Sequence, residues 1–288
     1  MTLPDSVALL GVKGGPAIRP GSAMPTATLV SLGGRRVVVD CGLGVAAALT
    51  RQRMALADLD LILITHLHSD HVLELGPLIH TAWTAGLRTP VRVHGPQGLE
   101  ALWQGFLASL AFDVDLRIAD EGRPDLRDLV SIRPVSEGVF LEEGGLTVSA
   151  LPVVHPPIEE AWAFRLQAEG RSVVLSGDTA IHPPLAAFAR GADLLVHEAM
   201  LGAGVDALCA RVGNADERLR AHLLRSHSMA EDVARLATEA RVGALALNHL
   251  IPADDPAFTE ADWRAAVGPH WSGPLHVGRD GMVIPFDA

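Results

Sequence analysis

The stretch ILITHLHSDHVLEL, residues 62–75, places three histidines and an aspartate within six positions, His66-Leu67-His68-Ser69-Asp70-His71, directly behind an apolar run. LDLILIT (59–65) has the length and composition of a buried strand. Beyond His71, the residues Leu75, Leu78, Ile79 and Ala82 recur at helical spacing. The histidines therefore sit where a strand runs out into a helix. In an extended segment residues two apart point to the same side, so His66 and His68 can face one ion. A turn at Ser69 swings Asp70 and His71 toward a neighbouring position. One tetrahedral zinc takes about four ligands, but these four cannot close around a single ion without strain, and two adjacent ions fit better.

Outward from this segment, the chain reads as alternating strands and helices. VALLGV (7–12), ATLVSL (27–32) and RRVVVDCG (35–42) form a meander separated by Gly- and Pro-containing turns. VRVHG (91–95) is a strand, and the segment after it carries Leu99, Leu102, Phe106 and Leu110 at helical spacing. The polar stretch 112–129 reads as a surface loop. In the second half, LTVSALPVVH (146–155) precedes a hairpin around AEGR in 161–178. ADLLVHEA (192–199) and GALALNH (243–249) are strands, and helices are expected over about 213–225, 228–240 and 258–267. Ser228 and Glu231 have the spacing of a capping box. No linker divides the halves, so one α/β domain spanning 1–288 is expected.

Composition narrows the function classes. The 288 residues carry a formal charge of −11, which argues against a general polyanion-binding surface. Lys13 is the single lysine among 23 basic residues. Cys41 and Cys209 form no CxxC pair. No apolar run reaches the roughly 18 residues of a membrane span, and the N-terminus lacks a secretory pattern, so a cytoplasmic protein without membrane association is expected.

HLHSDH resembles the HxHxDH signature of the metallo-β-lactamase fold superfamily. VVHP with His155, LSGDT with Asp178, LNHL with His249 and VVVDCG with Asp40 follow the order of that superfamily's other motifs. The resemblance implies an αββα sandwich of two mixed β-sheets flanked by helices, with a dinuclear metal site at the sheet edge. It implies one Zn2+ on His66, His68 and His155, another on Asp70, His71 and His249, and Asp178 bridging them, with Mn2+ or Fe2+ as alternatives. Asp40 would orient a ligand histidine. LLVHEAML (194–201) resembles the HEAT motif of the ribonuclease Z-like branch, with Met200 in place of Thr, and RSHSMAEDV (225–233) resembles that branch's histidine motif. These imply an orienting pair, Glu198 and His227, above the metals.

The implied enzyme is a dinuclear metal-dependent hydrolase, arylsulfatase-like, lactonase-like or ribonuclease Z-like. It would cleave a carboxylic ester or lactone, a sulfate ester or a phosphodiester in a small apolar or aromatic molecule by a hydroxide held between the ions. Asp70, His227 and Glu198 would serve catalysis, and Trp83, Ile158, Trp162, Met200 and Ile251 would line the pocket. Only 22 residues separate His155 from Asp178, too few for the tRNA-gripping arm of ribonuclease Z. A small-molecule substrate with no nucleic-acid partner is therefore expected. The alternatives are a tRNA 3′-processing endoribonuclease and a non-catalytic metal-binding sensor. The apolar stripe after His71 leaves room for a homodimer.

Overall fold

The structure, a computed structural model, describes residues 4–212 and 217–286. Short β-branched runs broken by glycine give the opening meander: β1 (Ser6–Gly11), β2 (Ala27–Leu32) and β3 (Arg35–Val39) pair antiparallel. Gly33 and Gly34, both at positive φ, make the two-residue turn between β2 and β3. After α1 (Val45–Arg51), the chain alternates β4 (Leu61–Leu63), α2 (Ser69–Val72), α3 (Leu75–Thr84), β5 (Val91–Gly95), α4 (Leu99–Glu121), α5 (Leu126–Leu129) and β6 (Val130–Pro134). Helical crossovers make β3, β4, β5 and β6 parallel neighbours.

The second half repeats the plan. β7 (Gly138–Glu143), β8 (Leu146–Pro152), β9 (Trp162–Ala168) and β10 (Arg171–Leu175) are antiparallel. Next come α6 (Pro183–Phe188), β11 (Leu194–Met200), α7 (Gly202–Val212), α8 (Arg218–Ser226), α9 (Ala230–Ala240), β12 (Ala244–Ile251), α10 (Glu260–Val267) and β13 (Leu275–Val277), the strands now parallel. β14 (Met282–Pro285) returns to pair with β1. The result is two seven-stranded mixed sheets, ordered β14-β1-β2-β3-β4-β5-β6 and β13-β12-β11-β10-β9-β8-β7.

Strand alternation builds the layers. Leu61 and Leu63 face the second sheet, where they meet a core containing Val148, Phe164, Leu166, Val173 and Val196, while Ile62 and Ile64 face outward with Trp83 and Trp103 under α3 and α4. On the far side, Val233, Leu236 and Trp263 from α9 and α10 cover the second sheet. This is the expected αββα sandwich.

Three local expectations are corrected. The stretch 112–129 is not a loop: α4 runs on to Glu121, because Leu110, Val114 and Ile118 continue the core-facing series, and Asp113, Arg117 and Glu121 pair at i,i+4 on the other side. The capping box at Ser228 does not form, since Met229 is the N-cap of α9 and Ser228 Oγ donates instead to the Thr179 carbonyl (2.7 Å). The apolar stripe after His71 is core, with Leu75, Leu78, Ile79, Ala82 and Trp83 all fully buried, so it presents no face to a second chain. Of the helix expected over about 213–225, residues 213–216 lie outside the described residues, and α8 carries the remainder.

Candidate metal centre

Each motif lies at or just beyond the C-terminal end of a strand, the edge where sheets with parallel strands collect ligands. β3 ends into Asp40, β4 into His66 and His68, β8 into His155 and β10 into Asp178, while β11 and β12 carry Glu198 and His249 near their ends. His68 is the N-cap of α2, so the chain turns there and Asp70 and His71 enter the helix on the inner side, both buried. His249 is placed by a register shift. Glu198 pairs with Asn248 but Ala199 pairs with Leu250, leaving His249 as the extra residue of a bulge at φ 42°. The bulge turns a side chain that regular pleating would hold in the sheet toward the ligand cluster.

The candidate ligand atoms fall into three overlapping groups, His66, His68, His155 and Asp178; Asp70, His71 and His249; and Asp178, His227 and His249, with the atoms of each within 4.8 Å of one another. Nε2 of His66 and Nε2 of His155 each lie 3.0 Å from Nδ1 of His68. One ring nitrogen offers a single hydrogen or a single lone pair and cannot satisfy both partners. Around a tetrahedral zinc with bonds near 2.05 Å, nitrogens sit about 3.3 Å apart, so this spacing suits a shared cation. His71 Nε2 and Asp178 Oδ1 are buried without hydrogen-bond partners. The donor set fits divalent metal ions.

Outer partners fix the ring tautomers. His71 Nδ1–H donates to Asp40 Oδ2 (2.7 Å), His155 Nδ1–H to the Ser226 carbonyl (2.9 Å) and His66 Nδ1–H to Thr65 Oγ1 (3.1 Å). Thr65 in turn donates to Asp40 from both its backbone N–H and its hydroxyl. Asp40, itself at φ 62°, thus fixes the orientation of the His71 ring. Gly15 N–H donates to Asp70 Oδ2 (2.8 Å).

Electrostatics favour the ligating forms of Asp178, Asp70, His66 and His155, whereas at His71 burial is outweighed by the carboxylates of Asp178, Asp40 and Asp70, which raise its pKa well above the ordinary value. Burial opposes charge on Asp178, yet His249, His71 and His66 hold its carboxyl well below the usual range. Burial likewise opposes charge on Asp70, and His71 and His249 override it downward. Burial pushes His66 well down and His155 down to about 4, so both favour the neutral, ligating form.

Glu198 and His227 are brought together across the fold. Glu198 Oε1 accepts from His227 Nδ1 (3.0 Å) and from the Thr179 backbone (2.9 Å), so His227 points its other nitrogen away from the pair. His227 stacks on His249 at 5.3 Å between ring centroids. Burial lowers its pKa, but the Glu198 carboxylate outweighs that and raises it to about 9. His197 is buried, with Nδ1–H donating to the Glu198 carbonyl (2.7 Å).

These groups open into a cavity of about 370 Å3, floored by His68, Asp70, Asp178, His227 and His249 and walled by Leu208, Val212, Leu219, Leu223 and Ile251. Of the five expected pocket residues, Ile251 alone lines it. Trp83 is core and donates to the Pro124 carbonyl, Trp162 packs between the sheets, Ile158 packs against the outer core of the second sheet, and Met200 lies behind the wall with Val205. Arg165 is structural, capping the carbonyls of Phe188 and Arg190. Besides the apolar wall, the lining residues that no motif points to include His222, at 6.3 Å between ring centroids from both His68 and His155, and Lys13. The solitary lysine was a visible signal. His222 had none.

The family model described as anti-Pycsar protein Apyc1 matches residues 7–241. Ribonuclease Z of Mycobacterium sp. (strain KMS) is 36% identical over 278 residues, covering 95% of this chain and 93% of that protein. Ribonuclease Z of Mycobacterium bovis (strain BCG / Pasteur 1173P2) is 32% identical, covering 95% of each. Among solved structures, the metallo-β-lactamase fold protein YhfI from Bacillus subtilis is similar with a TM-score of 0.72 at 21% identity, covering 98% of this chain and 99% of that one.

These relatives correct one expectation. Proteins named ribonuclease Z align along nearly their whole length with this chain, so the short interval between His155 and Asp178 does not set it apart from them, and nucleic acid is not excluded as a substrate. The arylsulfatase-like and lactonase-like expectations gain no support from them. The chain belongs to the anti-Pycsar protein Apyc1 family and is a relative of bacterial ribonuclease Z, a metal-dependent hydrolase of the metallo-β-lactamase fold.

Proposed function

We propose that the chain is a phosphodiesterase acting on a nucleotide-type phosphodiester. His66, His68 and His155 would hold one divalent ion, most simply Zn2+, and Asp70, His71 and His249 a second, with Asp178 shared. Such ions would polarise a phosphoryl oxygen and acidify a water. The protein's own contribution is the observation that carries the reading: His227, braced by Glu198, faces the same cavity floor as Asp178 and His249. An alkoxide leaving group, such as a nucleoside oxygen, needs a proton, and His227 can donate one at its free ring nitrogen while Glu198 holds the other. A sulfate aryl ester leaves without that help. The apolar wall of Leu208, Leu219 and Leu223 suits a nucleobase, and the cavity volume suits a nucleotide or the end of a chain.

The relatives' name, ribonuclease Z, favours a second reading in which the diester belongs to an RNA 3′ end. The metal-loaded protein and an Asp178→Ala control, assayed on a dinucleoside monophosphate, a 3′-extended tRNA precursor, p-nitrophenyl sulfate and p-nitrophenyl acetate, test both. Cleavage of the dinucleotide or the precursor supports the class and chooses between the readings. Activity confined to the sulfate or acetate overturns it.

A further inference from the structure

We propose that Lys13 is the anion anchor of the cavity, its ammonium binding a phosphate oxygen of the substrate; this rests on the phosphodiester reading. Lys13 is the chain's only lysine, while every other basic position is arginine. It is 5% exposed, yet forms no ion pair with a carboxylate within salt-bridge distance among the described residues. A lysine ammonium has three donors and no acceptor. Two of them reach the carbonyls of Gly14 (2.8 Å) and Gly15 (3.4 Å). The third meets no protein acceptor among the described residues, and Lys13 lines the cavity that contains Asp70, Asp178, His227 and His249.

The backbone explains why this cation cannot drift. Lys13 is bridged to Pro25 on one side and Leu250 on the other, and Gly14 N–H donates to the Leu250 carbonyl (3.1 Å). Lys13 thus sits one strand-width from the strand that carries His249. The same turn sends Gly15 N–H to Asp70. Arg19, at the cavity rim, is held by Asp254, which Arg211 shares, so these arginines are already committed. A compact ammonium with one donor to spare can take a phosphate oxygen without breaking either carbonyl bond. A neutral ester would gain nothing from it, so the anchor would separate phosphate esters from carboxylic esters.

The test uses metal-loaded, full-length protein and the variants Lys13→Met and Lys13→Gln, the second keeping an amide donor for the turn carbonyls. With inorganic phosphate as the probe in calorimetric titration, the expected result is affinity about 10-fold weaker or more in both variants, as for loss of a charge-assisted hydrogen bond. With bis(p-nitrophenyl) phosphate, KM rises by a similar factor while kcat is largely kept, and metal content is unchanged. Unchanged phosphate affinity in correctly metallated variants overturns the anchor, as does a loss that appears only as lowered metal content or Tm, the result of a purely structural lysine. Should no phosphodiester be cleaved by the wild type, the phosphodiester reading fails by that assay, while the phosphate titration still decides the anchor.

Discussion

Asp40 Oδ2 lies 2.7 Å from Nδ1 of His71, and this contact dictates which nitrogen His71 turns toward the ligand cluster. Both groups are buried, and Thr65 donates twice more to the same carboxylate, so the ring has one orientation and one tautomer. Replacing Asp40 with Asn keeps the shape but removes the charge that favours Nδ1–H. Metal affinity is expected to fall about 10–100-fold, read by competition with a chelator, with the far-UV circular dichroism spectrum unchanged. Wild-type affinity in Asp40→Asn would refute this role.

The Glu198–His227 pair separates proton donation from simple charge stabilisation. In His227→Ala and Glu198→Gln, hydrolysis of a dinucleoside monophosphate, with its alkoxide leaving group, is expected to fall by about 10²–10⁴. Hydrolysis of bis(p-nitrophenyl) phosphate, whose phenolate leaves unaided, is expected to fall much less. Equal losses on both substrates would assign His227 to charge stabilisation alone.

Gly14 is small because two side chains of the site occupy the space beside it. A Cβ there would lie 2.5 Å from Ile251 Cγ1 and 3.0 Å from the His249 ring. Gly14→Ala is therefore expected to cost about 1–3 kcal/mol and to displace His249. Thermal unfolding and metal titration on the same preparation check it. A variant with wild-type Tm and metal affinity would show that the turn at Gly14 yields freely.

His94, on β5, packs against Phe140 at 5.4 Å between ring centroids, and its Nδ1 is buried without a partner. Burial, together with Arg133 and Arg92, lowers its pKa to about 4. A histidine with a depressed folded-state pKa contributes stability that is present above its unfolded value near 6.5 and is lost as pH falls through about 4. His94→Phe is accordingly expected to lose less stability than wild type between pH 6.5 and pH 4. Urea unfolding of both proteins at several pH values measures the difference, and parallel pH profiles would contradict it.

The sequence by itself determined the sandwich and pointed to a candidate ligand set, because each candidate ligand lies in a short motif at the end of an apolar strand, and strand periodicity is a local property. It also supplied the Glu198–His227 pairing through two motifs and Asp40 through a third. What it misjudged shares one cause: chemistry that depends on what lies across the fold. The polar stretch 112–129 is mostly helical, in α4 and α5, because its apolar residues find a core. Trp83 looked like pocket lining and is core, since only packing distinguishes the two. The walls actually come from α7 and α8, whose residues carry no motif. His249 reaches the cluster through a bulge defined by the register against β11, and Lys13 comes to the cavity wall, without an ion pair among the described residues, only when the first turn of the chain is laid beside β12. Spacing along the chain names the atoms that can bind a metal. Three-dimensional packing decides which donors remain unpaired, and so what a substrate meets.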